Sequence, residues 1–316
     1  MTAVTTTDLV VVAKEAVADE VVALTLAHPE HRRLPDWTPG AHIDLILPNG
    51  LTRQYSLCGS RWDAHTYRIG VLRDPSSRGG SAFIHDTLAV GDTVAVGGPR
   101  NNFALVPATK YLFIAGGIGI TPMLSMLAQA DLLECDWRLE YLGRSRRTMA
   151  FTEDLTGYGD RVSIRPDDEG GACDVAALLA SIDDDTVVFC CGPTRLLDAV
   201  QRCCGGWQVG RLRVERFVPK VQENAVRDTA FEIELRRSRR RVTVAPRQSV
   251  LEALRGTGTS VLSSCGQGVC GTCETTVLAG LPDHRDSILD DTERAAGDCM
   301  FVCVSRSLSD RLVLDL

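Results

Sequence analysis

The sequence predicts a multi-domain chain of three units: a small antiparallel β-barrel, an α/β unit with a parallel sheet, and a third unit around a cysteine motif. Short β-type runs separated by turn residues fill the first third of the chain, and strands alternate with helical segments in the middle third. Four cysteines with the spacing of metal ligands lie in the last third. A length of 316 residues is enough for two or three domains.

Composition narrows the possible function classes. The net charge of −7 disfavours a non-specific nucleic-acid binder, because such proteins present a basic surface. The sequence has no run of 18 apolar residues for a transmembrane helix, and Met1–Asp8 lacks the basic and apolar regions of a secretory signal. We therefore expect a cytoplasmic protein that binds neither nucleic acid nor membrane.

The first unit, residues 1–104, contains six candidate strands. Pro48-Asn49-Gly50 separates two of them and is a hairpin signal. Six short strands at this spacing favour an antiparallel barrel. The candidates are Leu9–Ala13, Val21–Leu26, Ile43–Leu47, Arg53–Leu57, Tyr67–Leu72 and Thr93–Val96.

The second unit, residues 105–219, alternates strands with helices, as α/β proteins with parallel sheets do. The predicted strands are Tyr111–Ala115, Leu139–Leu142, Thr186–Cys191 and Leu212–Phe217. The predicted helices are Pro122–Ala130, Val175–Ser181 and Thr194–Cys203. The polar stretch that follows, residues 218–230, predicts a linker, which we place at residues 220–230.

The third unit covers residues 231–316. Its predicted elements are a hairpin of Phe231–Leu235 and Arg241–Val244, a helix over Ser249–Arg255 and a last strand at Leu312–Leu314. The basic turn Arg236–Arg240 has no interleaved aromatic residues, so we expect a solvated hairpin turn rather than a nucleic-acid patch.

The strongest functional signal is the spacing Cys265-x4-Cys270-x2-Cys273, with Cys303 following after 29 intervening residues. This is the plant-type spacing of a 2Fe-2S cluster, which needs four soft thiolate ligands. Glycines in the loop let the backbone wrap closely and aim N–H groups at the sulfurs. A structural zinc site and unliganded thiols are the alternatives. Cys299 lies four residues before Cys303, and the spacing favours Cys303 as the ligand.

Around these cysteines the sequence resembles a known family. The third unit looks like a plant-type ferredoxin domain, and almost the whole chain resembles the phthalate dioxygenase reductase family. The matching segments are Asp283-His284-Arg285-Asp286, Val302-Cys303-Val304-Ser305-Arg306 and Leu312-Val313-Leu314-Asp315-Leu316. The resemblance implies an FMN-binding barrel domain, a ferredoxin-reductase-like nicotinamide domain and an α+β ferredoxin domain of β-grasp fold, in that order.

Two motifs in the first unit offer what a flavin mononucleotide needs. In Arg53-Gln54-Tyr55-Ser56, the guanidinium can meet a phosphate, the phenol ring can pack on the flavin, and the hydroxyl can hydrogen-bond a ring edge. Arg78-Gly79-Gly80-Ser81 precedes a predicted short helix, Ala82–Leu88, and exposes N–H donors to an anion. The alternatives are an ordinary strand and a solvent turn with a capping serine.

The resemblance adds further flavin contacts. It implies FMN rather than FAD at these two motifs, a third flavin-contacting segment at Gly70-Val71-Leu72, and an aromatic cover at Phe217. Leu72 replaces a residue that is often lysine in the family. A boundary core position is the alternative for Phe217.

A glycine-rich turn, Gly116-Gly117-Ile118-Gly119-Ile120-Thr121-Pro122, joins a predicted strand to a predicted helix. Such a turn lets the backbone approach a pyrophosphate, and the helix dipole favours its charge. Pro122 stands where the Rossmann pattern has its last glycine, and proline suits a first helical position. By resemblance, Thr121 also reaches the flavin, and Cys191-Gly192-Pro193 is a second nicotinamide element. A buried structural thiol is the alternative for Cys191.

The arginines of Arg144-Ser145-Arg146-Arg147 bear on the choice of nicotinamide. They follow the second strand of the α/β unit, where the adenine ribose would lie, and arginine there accommodates a 2′-phosphate. NADPH is therefore possible. The resembled family mostly uses NADH, often with one arginine at this place, and we expect NADH with Arg144 in contact.

Together these features predict an electron-transfer reductase without a catalytic acid, base or nucleophile. NADH would reduce FMN, and the 2Fe-2S cluster would carry the electrons onward, while the protein positions the cofactors. The resemblance implies a separate terminal oxygenase as partner, a Rieske non-haem iron mono- or dioxygenase such as an O-demethylase or aromatic-ring oxygenase. A haem-thiolate monooxygenase of the cytochrome P450 type is the alternative partner.

A function of another class is a cysteine-rich metal-binding module, which would leave the flavin and nicotinamide motifs unexplained. The sequence gives no direct signal of oligomeric state. Since an electron relay within one chain needs no symmetry partner, we expect a monomer.

Overall fold

The structure is a computed structural model that describes residues 6–75, 79–219 and 228–316. Tertiary contacts divide the chain into two compact units, the larger one ending at Glu215 and the smaller one beginning at Arg216. None of the described helices has the length and apolar character that a membrane crossing requires.

The first part of the larger unit is a six-stranded antiparallel sheet. Its strands are Thr6–Ala18 (β1), Val21–Ala27 (β2), His42–Ile46 (β3), Thr52–Ser56 (β4), Thr66–Leu72 (β5) and Thr93–Arg100 (β6). Their spatial order is β4-β3-β6-β1-β2-β5. A short helix, Gly80–Asp86 (α1), connects β5 to β6 and begins two residues earlier than predicted. Each of the six predicted strands is confirmed by a strand that overlaps it.

One face of this sheet is apolar and buried, because successive side chains of a strand point to opposite faces. Leu24, Ile43 and Ile69 are fully buried in the same apolar cluster. Packing of this cluster fixes β4 and β5, the two strands that carry predicted flavin motifs.

The second part of the larger unit is a five-stranded parallel sheet with helices. The strands are Lys110–Gly116 (β7), Asp136–Gly143 (β8), Val162–Pro166 (β9), Thr186–Cys191 (β10) and Leu212–Glu215 (β11). The helices are Ile120–Leu132 (α2), Asp167–Gly170 (α3), Val175–Ala180 (α4) and Thr194–Cys203 (α5). The spatial order is β11-β10-β7-β8-β9. Strands β8 and β9 are added on one side of β7, and β10 and β11 on the other, so the strand order reverses between β7 and β10. Ligands of such sheets bind outside the carboxyl ends of the strands at this switch point.

Two predicted boundaries in this part are wrong. Strand β11 ends at Glu215, and Phe217 lies beyond it, in the smaller unit, with 41% of its surface exposed. Helix α2 begins at Ile120 after a 3-10 turn over Gly117–Gly119, so Pro122 is the third helical residue rather than the first. Proline is still tolerated there, because the first N–H groups of a helix have no partner within it.

The smaller unit combines a mixed sheet with two short helices. Its strands are Phe231–Leu235 (β12), Arg240–Val244 (β13), Glu274–Ala279 (β14), Pro282–Asp283 (β15), Cys299–Phe301 (β16), Arg306–Ser307 (β17) and Arg311–Leu314 (β18). Its helices are Val250–Gly256 (α6) and Asp291–Ala296 (α7). Five strands form one sheet in the order β13-β12-β18-β14-β16, and β15 pairs with β17.

Local sequence explains the start of this unit. The basic turn after Leu235 connects β12 to β13 as a hairpin, and Arg237 in it forms an ion pair with Asp315. Helix α6 begins with a capping box, in which Ser249 and Glu252 each accept the other's backbone N–H. These elements bring the chain to the cysteine loop, which lies between α6 and β14.

Candidate functional site

The four predicted cluster ligands meet in the smaller unit. Cys265, Cys270 and Cys273 lie on the cysteine loop, and Cys303 follows β16. The Cys265 thiol lies close enough to the thiols of Cys270 and Cys303 to interact with them, and the Cys303 thiol also interacts with that of Cys273. Among the described residues, no group of three or more His, Cys, Asp or Glu side chains surrounds a single metal position. The four sulfurs are linked pairwise instead.

Mutual contact and burial raise the pKa values of two of these thiols, those of Cys270 and Cys303. Cys270, Cys273 and Cys303 are 1%, 2% and 9% exposed. The pKa of Cys270 is raised by its hydrogen bond with Cys265 and by burial. For Cys303, the hydrogen bond with Cys265 lowers the pKa, but the bond with Cys273 and burial raise it to about 12. Four thiolates at this place therefore need the positive charge that bound iron supplies.

The cysteine loop also aims a backbone donor at one of the sulfurs. The N–H of Gln267 donates to Sγ of Cys265 at 3.2 Å. Gly268 has a φ of +68°, and a Cβ atom there would lie 2.6 Å from Cγ2 of Val304. Only glycine fits such a position. Four sulfurs are the donor set that a 2Fe-2S cluster requires, so these residues fit the cluster.

Cys299 lies apart from this group. It is in β16, paired with Thr276 of β14. Burial, followed by the carboxylates of Glu274 and Asp298, raises its pKa to about 11, and no other cysteine contributes. The structure therefore brings Cys303, and not Cys299, to the cysteine loop.

The two flavin motifs meet where α1 begins. A Cβ atom at Gly80 would lie 2.6 Å from Nε of Arg53, so the guanidinium of β4 rests against the backbone of Gly80. Gly79, with a φ of +87°, precedes the helix and turns the chain into it. A cation and backbone N–H donors together are what a phosphate needs. Arg78 lies outside the described residues.

The other members of the first motif differ in their surroundings. Ser56 is 4% exposed, and its Oγ has no hydrogen-bond partner among the described residues. A buried hydroxyl of this kind is costly unless a partner is supplied, and a flavin ring edge would supply one. Tyr55 packs against the apolar cluster of the first sheet, and burial raises its pKa. Gln54 donates to Asp44 at 2.8 Å.

Gly70 brings the third flavin segment to the nicotinamide turn. A Cβ atom at Gly70 would lie 2.8 Å from Cγ2 of Thr121 and 2.9 Å from Cε2 of Phe151. Thr121, itself 2% exposed, is therefore a neighbour of the predicted flavin strand. Val71 is fully buried and Leu72 is 38% exposed.

Ser81, predicted to help bind the phosphate, lies at the start of α1. Its hydroxyl accepts the N–H of Asp74 at 3.1 Å, so it ties the beginning of the β5–α1 connection to the helix. The N-cap of α1 is Gly79, which has no side chain with which to cap the helix.

The two nicotinamide elements meet at the switch point of the parallel sheet. A Cβ atom at Gly119 would lie 2.2 Å from the carbonyl oxygen of Cys191, and one at Gly116 would lie 2.7 Å from Cδ of Pro193. A Cβ atom at Gly192 would also lie 3.0 Å from Cα of Gly116. These glycines therefore serve the close packing of the two turns. Gly117 has a φ of +54° and faces open space, where a pyrophosphate could approach its backbone.

Sequence reasoning missed Glu215, which ends β11. Its Oε2 lies 3.9 Å from Sγ of Cys191. Burial raises the pKa of Glu215 to about 8, although part of its surface is accessible. The pKa of Cys191 is raised by burial and then by Glu215. The carboxyl is therefore mostly protonated at neutral pH and adds little negative charge beside the nicotinamide elements. Its only sequence signal is an acidic residue at the end of a strand.

Arg144 differs from the two arginines that follow it. Arg146 pairs with Glu169 and Arg147 with Asp19, both at 2.7 Å. Arg144 is exposed and forms no ion pair within the part of the chain that the structure describes. Its guanidinium is therefore the one available to a ligand.

Comparisons with known proteins extend over the whole chain. Residues 233–308 match the 2Fe-2S iron-sulfur cluster binding domain family. The chain is 45% identical to phenoxybenzoate dioxygenase subunit beta of Ectopseudomonas oleovorans, over 95% of this chain and 94% of that protein.

Two solved structures are also similar. One is phthalate dioxygenase reductase, described as a modular structure for electron transfer from pyridine nucleotides to 2Fe-2S, with a TM-score of 0.71, 38% identity and 98% of both chains covered. The other is an intact type IV self-sufficient cytochrome P450 monooxygenase, with a TM-score of 0.93 and 43% identity over 98% of this chain. The match spans 41% of that longer chain.

Identity of this degree over the full length of a relative agrees with the resemblance that the motifs gave. All four cluster cysteines lie within the matched iron–sulfur region. The chain therefore belongs to the phthalate dioxygenase reductase family of NAD(P)H-dependent flavin and iron–sulfur oxidoreductases, whose cofactors are FMN and a 2Fe-2S cluster.

Proposed function

We propose that this protein takes electrons from NADH at an FMN site and passes them through its 2Fe-2S cluster to a separate terminal oxygenase. One observation carries the proposal: motif pairs that are distant in sequence meet in space. Arg53 meets Gly80, Gly116 meets Pro193, and Cys303 meets Cys265. When bound, the flavin accepts two electrons as a hydride and releases them singly, which a one-electron cluster requires.

At the flavin site the chain supplies binding and orientation. Arg53 and the backbone of Gly79–Gly80, with Arg78, are proposed to bind the FMN phosphate. The Ser56 hydroxyl, which is buried without a partner among the described residues, is proposed to donate to the ring edge. Tyr55 and the segment Gly70–Leu72 line the ring. Gln54 and Ser81 support these residues through their own hydrogen bonds.

At the nicotinamide site the backbone is proposed to do most of the binding. The pyrophosphate approaches Gly117, with Gly116 and Gly119 holding the turn against Cys191-Gly192-Pro193. Thr121 lies between this turn and the flavin segment at Gly70. Arg144 is proposed to reach the adenine ribose of NADH, and Phe217 to cover the flavin. A protonated Glu215 keeps the surroundings of Cys191 uncharged at neutral pH.

The finer architecture is proposed on similar grounds. An isolated bridge between Leu57 and Ile69 joins the two outer strands, β4 and β5, which supports a closed barrel for residues 1–104. We propose that residues 105–219 form the nicotinamide domain and residues 231–316 a β-grasp ferredoxin domain. The mixed sheet of the smaller unit, with α6 beside it, supports the latter.

For the electron acceptor, we propose a Rieske non-haem iron oxygenase. The 45% identical relative is named as a subunit of a dioxygenase. A second candidate is a cytochrome P450, because a self-sufficient P450 monooxygenase contains a region 43% identical to nearly the whole chain. Reconstitution with each type of oxygenase separates the two: product formation with NADH as sole electron source identifies the acceptor.

The flavin released from this protein by heat is expected to be FMN. The contact between Arg53 and Gly80 forms a compact cradle, which suits the single terminal phosphate of FMN. Chromatography of the heat-released flavin beside FMN and FAD standards measures this directly. Co-elution with FAD would show that the phosphate assignment is wrong.

A further inference from the structure

Beside the cysteine loop lies an ion pair of Asp286 and Arg294, in which the carboxylate is buried and 27% of the arginine side chain is exposed. Asp286 is 0% exposed, and Nη2 of Arg294 lies 3.2 Å from its Oδ2. The same Oδ2 accepts the N–H groups of Ile288 at 3.0 Å and Leu289 at 2.9 Å. Arg294 also donates to the carbonyl oxygens of His284, Asp286 and Leu289. The pair therefore fixes the whole segment 284–289.

This segment contacts the cysteine loop at Gly268. A Cβ atom at Gly268 would lie 3.0 Å from Cα of Asp286, and the Gly268 carbonyl accepts the N–H of Ser287 at 2.9 Å. The same Cβ atom would lie 2.6 Å from Cγ2 of Val304, the residue that follows Cys303. One residue thus connects the Asp286 segment to the neighbour of a cluster ligand.

Stability alone is a weak reason for such a pair. Removing a charge such as that of Asp286 from water costs free energy that the attraction of its partner often fails to recover. Proteins in which apolar residues replace such a pair are frequently as stable. Next to a redox centre, however, each charge changes the free energy of adding an electron. His284, whose Nδ1 lies 3.9 Å from Oδ1 of Asp286, does not complicate the balance at neutral pH, because burial lowers its pKa.

We propose that Asp286 and Arg294 are positioning residues that hold the Gly268 backbone beside Cys303, and that the balance of their charges sets the reduction potential of the cluster. This inference rests on the proposed function only in taking the cluster as the centre through which electrons leave. It assigns a role to the Asp283–Asp286 motif, which the electron path leaves unexplained.

Single charge removals are expected to move the potential in opposite directions. Asp286→Asn leaves Arg294 unbalanced, so cluster reduction becomes at least tenfold more favourable, which for a one-electron couple is about 59 mV upward. Arg294→Gln leaves Asp286 unbalanced and shifts the equilibrium by the same order downward. The double variant, a neutral pair, returns to within about twofold of wild type.

The measurement is a redox titration of the full-length holoprotein, with electron paramagnetic resonance of the reduced cluster in each variant. Asp290→Asn is the matched control, since Asp290 is an exposed N-cap of α7 in the same segment and asparagine caps helices equally well. The control should shift the equilibrium less than twofold, because solvent screens its charge.

Shifts in the same direction for both single variants, or shifts no larger than that of the control, would overturn the inference. If a single variant loses its cluster, the double variant decides: a cluster of near wild-type potential supports charge balance, and loss of the cluster there contradicts it. The proposed function fails separately, and would do so in the wild-type protein as a cluster that NADH does not reduce.

Discussion

Cys303→Ser is expected to remove the visible absorption of the 2Fe-2S cluster or distort it severely, whereas Cys299→Ser leaves the spectrum nearly unchanged. The thiol of Cys303 interacts with those of Cys265 and Cys273. Replacing it removes one of the four proposed cluster ligands. Besides burial, the groups that raise the pKa of the Cys299 thiol are carboxylates, and no cysteine is among them.

Absorption spectra and iron content of the two purified variants, measured beside wild type, test this expectation. Cys299→Ser is a closely matched control, since both cysteines border the short strand β16. Loss of the cluster from Cys299→Ser with retention in Cys303→Ser would contradict the ligand assignment. Equal loss from both would indicate a folding defect, which circular dichroism of the two variants would show.

Removal of the cluster unit is expected to separate the two halves of the reaction. A chain ending at Val221 keeps Phe217 and the flavin and nicotinamide motifs, and lacks all four cluster cysteines. The larger compact unit ends at Glu215 and has its own apolar clusters, so we expect it to fold without the smaller unit. The truncated protein should still reduce ferricyanide with NADH and should fail to support any oxygenase.

Steady-state assays with ferricyanide and with the reconstituted oxygenase give the two rates. Full oxygenase turnover by the truncated protein would rule out an electron path through the cluster. Loss of ferricyanide reduction would show that residues beyond Val221 are needed to form the flavin site.

Regular strands and spaced ligands were predictable because each follows from local sequence. The alternation that buries Leu24 and Ile43, and the strand-helix rhythm around Gly116, are visible within a window of about ten residues. The cysteine spacing is equally local over Cys265–Cys273. The structure adds the approach of Cys303, which the sequence could indicate only by its distance along the chain.

Features that depend on tertiary contacts could not be predicted in this way. Strands β14 to β17 are two to six residues long, and their pairing with strands distant in the sequence decides them rather than propensity. Glu215 lies beside Cys191 only because folding pairs the ends of β10 and β11. For a similar reason, the sequence could not show which glycines of the first turn are packed and which is open. Gly116 and Gly119 pack against the second turn, whereas Gly117 remains open.

The path from NADH to the cluster makes one further demand on the protein. Plant-type clusters have potentials of about −400 mV, low enough to make reduction by a flavin unfavourable. N–H donors to the sulfurs raise such potentials, and Gln267 provides one. The cluster of this protein is therefore expected to lie above that value and to be reducible by NADH.

Anaerobic mixing of the holoprotein with NADH tests the proposed electron path most directly. Flavin absorption is followed in stopped flow, and the reduced cluster is followed by electron paramagnetic resonance in freeze-quenched samples. We expect the flavin to be reduced first and the cluster signal to appear afterwards, with no cluster reduction in protein stripped of flavin. A cluster that stays oxidised while the flavin bleaches, or one that NADH reduces in the flavin-free protein, would contradict the path from NADH through FMN to 2Fe-2S.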